Sequence, residues 1–101
     1  MTGPAKDGFA RVEEELLRER AAALKRIAET LEELLAGLGA LRASWDRLSG
    51  PERAPRARAH RALRERALLY RWYLEVQREA LGLRAHEVLD EIYPRPAPIL
   101  E

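Results

Sequence analysis

The sequence predicts an all-α protein: a long antiparallel helical hairpin with a coiled-coil-like seam, then a short C-terminal helix and an extended proline-rich tail. Three observations carry that expectation. Apolar residues alternate spacings of three and four through the first half, as a helix needs when it packs lengthwise on another. A break follows at Ser49-Gly50-Pro51-Glu52-Arg53-Ala54-Pro55, where glycine closes one helix and proline opens the next. A second helical stretch then runs to Gly82, a helix-stop residue followed by the apolar Leu83.

Residues 1–8 carry Gly3, Pro4 and Gly8 and read as a loose leader. The first helix is expected over 9–49, with Asp7 as N-cap and Glu13, Glu14 and Glu15 early, where acids suit the dipole. Its seam is Leu24, Ile27, Leu31, Leu34, Leu38, Leu41, Trp45 and Leu48. Gly37 and Gly39 interrupt the run, each at a cost of ~1 kcal/mol relative to alanine. Because the seam continues in phase across them, one helix with room for a bend is expected there rather than a turn and a three-helix bundle. Ala36, Gly37, Ala40 and Ala43 add a patch where another helix can approach closely.

A turn is expected at 50–55 and the second helix over 56–81. Leu63, Ala67, Tyr70, Leu74 and Leu81 form one stripe on it, with Leu69, Tyr73, Val76 and Ala80 beside it. The two stripes are wider than one partner helix can bury. A third helix over 84–93 offers Ala85, Val88, Leu89 and Ile92 on one side. Residues 94–101 are expected to be extended, since Pro94, Pro96 and Pro98 favour polyproline II.

All 101 residues belong to one domain, small for a self-sufficient core. Apolar residues at 47% and charged residues at 35% suit helices with a broad solvated face. A net charge of +1 gives no global case for a nucleic-acid or membrane partner. The chain has no cysteine, which removes disulfide and thiolate chemistry and fits a cytoplasmic location. Met1 to Ala10 lacks the basic start and apolar core of a secretory signal, and no apolar run approaches the ~20 residues of a membrane span.

Length mismatch points to assembly. A first helix of about 40 residues outreaches a second of about 27 by roughly 20 Å, leaving Phe9, Val12, Leu16 and Leu17 without cover. Either the third helix folds back over this surplus or a second copy covers it. The expected form is a homodimer, most simply a four-helix core made of two hairpins.

Catalytic and metal chemistry find little support. His60 and His86 are the two histidines, and they fall on different elements. His86 and Asp90, four apart, supply at most two ligands where a stable transition-metal site wants three or four. No glycine-rich phosphate loop and no nucleophile–histidine pairing is present, so no cofactor and no enzyme activity are expected.

Between Arg53 and Arg71 seven arginines are opposed by Glu65 alone. Arg58, Arg61, Arg64 and Arg71 are the candidate phosphate contacts of a nucleic-acid-binding surface. The preferred reading is a solvated, partly paired face. On that reading His60, Arg64, Arg71 and Arg78 form one polar stripe, and Arg64→Ala barely alters stability. Trp72 and Tyr93 are the candidate partner contacts. Trp72 is expected to lie under the third helix or Tyr93, and otherwise serves as an exposed anchor. The functional expectation is a non-catalytic, self-associating scaffold, adaptor or regulator working through helix–helix protein contacts. The second reading is a nucleic-acid-associated protein using Arg53 to Arg71.

Overall fold

The computed structural model describes residues 4–99. Helix α1 spans Pro4–Ser44, a single 3-10 turn spans Trp45–Arg47, α2 spans Gly50–Ala80 and α3 spans Glu87–Ile92. No strand occurs among the described residues. The two long helices pack antiparallel into a hairpin with principal extents of 74 × 21 × 15 Å.

The heptad seam forms the core as the spacing predicts. Leu31 and Leu38 of α1 are buried with Ala67 and Leu74 of α2, flanked by Leu24, Ile27, Leu34, Leu63 and Tyr70. α1 continues unbroken through Gly37 and Gly39, so the hairpin holds two long helices and not three. A Cβ on Gly37 would meet Leu63 Cδ1 at 3.5 Å, an ordinary contact, while one on Gly39 would meet nothing within 4 Å. Of the small-residue patch, Gly37 alone faces the partner helix; Ala36, Ala40 and Ala43 are exposed.

Element ends differ from the expected ones. Helical structure reaches back to Pro4, so residues 4–8 belong to α1 and Asp7 lies in its first turn rather than at the cap. Proline tolerates this place because its missing N–H falls among the unpaired first-turn donors. The first helix stops at Ser44, five residues short of the expected 49, where Ser44 Oγ donates to the Leu41 carbonyl at 3.0 Å. α2 begins at Gly50, six residues before the expected 56, with Ser49 as its N-cap residue and Pro51 in the first turn. Pro55 therefore lies inside the helix. It forfeits one backbone bond, to the Pro51 carbonyl, at an exposed end where water can replace it.

At the other end of α2, Gly82 takes φ +85°. Leu83 N–H bonds to the Arg78 carbonyl and Gly82 N–H to the Glu79 carbonyl, both at 2.9 Å, a Schellman stop. α3 is shorter than the expected 84–93, because residues 84–86 are irregular. Leu89 is its buried residue, packed against the core, whereas Val88 and Ile92 are exposed. Residues 94–99 are irregular, in keeping with the expected extended tail; 100 and 101 lie outside the described residues. No helix among the described residues is long and apolar enough to cross a membrane.

Candidate functional site

The most highly organised polar feature is a row of arginines that grips the C-terminal segment. Ala57, His60, Arg64, Ala67, Arg71, Leu74 and Arg78 follow one another along α2 at spacings of three and four, the same pattern as an apolar seam. Segment 83–99 lies on this row, antiparallel to α2. Arg78 Nη2 donates to the Ala85 carbonyl at 3.0 Å. Further along, Arg71 Nε donates to the Tyr93 carbonyl and Arg64 Nε to the Pro96 carbonyl, each at 2.8 Å. From α1, Arg42 Nη2 reaches the carbonyls of Ala97 at 3.1 Å and Pro98 at 3.4 Å. The segment thus fills the groove between the long helices.

Proline chemistry explains the partnership. Pro94, Pro96 and Pro98 have no N–H, so this stretch cannot pair with itself or a neighbouring strand in the usual reciprocal way. Its carbonyls still need donors where water is displaced. Arginine supplies donors on a long arm, and the spacing fits. Seven residues of α2 rise about 10 Å, the length that three extended residues cover. That matches Arg71 and Arg64 on Tyr93 and Pro96.

Arg71 is the centre of this arrangement and is 2% exposed. Its Nη1 donates to Glu75 Oε1 at 2.6 Å, and its Nη2 pairs with Asp90 Oδ1. Arg95 closes the cluster from the tail, 3.5 Å from Glu75 and 4.0 Å from Asp90. Two arginines and two carboxylates balance, so a charge that would be costly to bury alone is compensated from α2, α3 and the tail. This corrects the expectation of a solvated stripe: Arg71 and His60 are buried, and Arg64 is partly so. The stripe faces the chain's own C-terminal segment.

The four candidate phosphate contacts therefore do not share one surface. Arg58 is exposed; Arg61 is exposed beside His60; Arg64 and Arg71 bind the tail. Two other arginines of the segment stack on aromatic rings, Arg53 over Trp45 at 5.4 Å and Arg66 over Tyr70 at 5.7 Å. Among the candidate partner contacts, Tyr93 is half-buried, packed against the core, and its hydroxyl donates to Glu32 Oε1 at 2.6 Å. That hydrogen bond, with burial, raises the phenol's pKa above its usual 10.0. Trp72 departs from expectation. Neither α3 nor Tyr93 covers it; it is 55% exposed, with its ring centroid 5.7 Å from that of Tyr73.

The histidines play separate parts. His86 Nε2 lies 2.9 Å from Glu79 Oε1 and its former ligand mate Asp90 is engaged by Arg71, so the two do not converge. No group of three potential metal ligands occurs among the described residues. His60 is 2% exposed, and burial lowers its pKa, helped by the positive charges of Arg42 and Arg64.

Compared with protein-family models, with curated proteins and with solved structures, the chain matches none. Its function must be argued from geometry.

Proposed function

We propose that this chain is a non-catalytic, self-associating helical protein of the cytoplasm, a scaffold or adaptor whose copies join through the open end of the hairpin. One observation carries the reading. Eleven large apolar side chains stay exposed among the described residues, and none of them falls between residues 18 and 68. The half of the hairpin nearest its turn is well covered; the half away from it is not. Exposed apolar surface so polarised marks an interaction site rather than scattered background.

The occupant is a second copy. Arg20 Nη1 reaches the Ala80 carbonyl at 3.3 Å, which fixes where α2 ends alongside α1. Residues 4–19 project beyond that point by roughly 24 Å, a length that is marginal as an isolated helix. Phe9, Val12, Leu16 and Leu17 lie on it, all exposed. Phe9, Val12 and Leu16 fall within about 60° of one another on one face of it, so this segment laid antiparallel on its own copy with Phe9 facing Leu16 sets that apolar stripe against itself. Such self-complementarity is what a two-fold interface requires. Leu69, Tyr73 and Val76 at the same end of the hairpin extend the contact.

Light scattering at micromolar protein tests the proposal. The expected mass is twice 11.5 kDa, falling to the single-chain value in Leu16→Glu/Leu17→Glu, with loss of helical signal confined to what the projecting segment contributes. A monomeric unaltered chain overturns it. The nucleic-acid reading has fewer side chains to draw on, since Arg64 and Arg71 hold the tail. Mobility-shift titration at physiological salt is expected to give no complex at micromolar protein.

A further inference from the structure

Docking of the tail creates a cavity of about 430 Å³ between α2 and the stretch Pro98 to Ile99, within the size range of small-molecule sites. Ala57, His60, Arg61 and Arg64 form one wall, and Pro98 and Ile99 the other, with the exposed Glu65 at the rim. We propose that this cavity binds a small organic phosphate monoester, its phosphate between Arg64 and His60 and its apolar part against Pro98 and Ile99. The inference is independent of self-association, which concerns the opposite end of the hairpin.

His60 is the first support. Its side chain is 98% removed from solvent yet lines the cavity, and its imidazole has no hydrogen-bond partner among the described residues. Its ring nitrogens are not among the fully buried unpaired atoms, so they keep access to solvent, and an acceptor oxygen in the cavity would take a hydrogen bond from the ring N–H. Arg64 is the second. Of its five N–H donors, Nε alone is engaged among the described residues, by the Pro96 carbonyl. A guanidinium with the four donors of its two terminal nitrogens free suits a tetrahedral oxyanion, which accepts from several directions at once. Third, Arg42 and Arg64 act together on His60, both opposing its protonation, so positive potential converges where the imidazole sits. A dianion there relieves that conflict and binds more tightly than a monoanion.

Imidazole resonances in NMR spectra of the full chain provide the test, with His86 as an internal control on a separate pairing. Phenyl phosphate is expected to shift the His60 signals and raise its pKa by about one unit, as a nearby opposite charge does. Inorganic phosphate should do so at roughly tenfold higher concentration, the factor carried by about 1.4 kcal/mol of apolar contact. Ile99→Ala should erase that tenfold difference while the inorganic phosphate response persists, and Arg64→Gln should remove both responses. Benzoate should leave His60 unmoved. The proposal is overturned if His60 ignores both phosphates at tens of millimolar, if His86 moves in parallel, if Arg64→Gln keeps the response, or if benzoate matches phenyl phosphate.

Discussion

Arg71 occupies a place that hydropathy assigns to solvent, yet three of its donors meet three different parts of the chain: Glu75 one turn away, Asp90 on α3 and the Tyr93 carbonyl. Its removal strands those acceptors together, and partial burial makes the loss felt. Arg71→Leu is expected to cost about 1.5–3 kcal/mol in denaturant unfolding, the range for hydrogen bonds to charged groups. Arg58→Ala, on an exposed face, should stay within about 0.5 kcal/mol. Arg64→Ala belongs between them because its Nε bond to Pro96 is partly buried. His60 sets the pH response. Burial and two arginines lower its folded pKa below the 6.5 of an unfolded histidine, so the fold prefers the neutral ring. The stability this contributes is fully present above pH 6.5 and drains away as pH falls through the folded value. Thermal melts between pH 7 and 5 should show that decline, and His60→Gln should flatten it.

Among the elements, the helices were legible because their apolar spacing is regular, and the ends were not because proline and glycine speak ambiguously. Pro51 and Pro55 look like a turn, but Pro51 fits the first turn and Pro55, one turn further in, forfeits its bond on an exposed stretch, so α2 absorbs them. Gly82 is unambiguous, since its φ of +85° is needed for the Schellman bonds. Gly82→Ala should cost about 1–2 kcal/mol through the left-handed penalty. Gly39→Ala, in open space at mid-helix, should instead gain up to about 1 kcal/mol and raise the melting temperature. The seam of α2 held the largest misreading. Its three-and-four spacing through Ala57, His60, Arg64, Ala67, Arg71, Leu74 and Arg78 is as regular as that of α1, but basic residues in it suggested a surface. The signal was present: a long-armed donor at every second seam position, and downstream a segment rich in carbonyls without N–H partners.

At the scale of the whole molecule, one end is closed by the turn and tail while the other carries the unpaired length of α1. Hydrogen exchange should divide the same way. Amides of residues 4–19 are expected to exchange rapidly at nanomolar protein, and to gain protection at micromolar concentrations if copies pair there. Amides around Leu31, Leu38 and Leu74 should be protected at both concentrations. Equal, concentration-independent exchange in the projecting segment would separate it from assembly.

The arginine row grips main chain, and a main chain offers a carbonyl at every step. The stretch from Tyr93 to Pro98 is therefore held through its carbonyls, and a shift of one residue would present the row with another acceptor. What forbids such slippage lies upstream, where Leu89 sits in the core and the Tyr93 hydroxyl meets Glu32. Apart from Arg95, whose charge completes the cluster with Glu75 and Asp90, side chains beyond Tyr93 can change without releasing the strap. One residue inserted between Leu89 and Tyr93 would part the Tyr93 hydroxyl from Glu32 and so unlock the register of the whole strap.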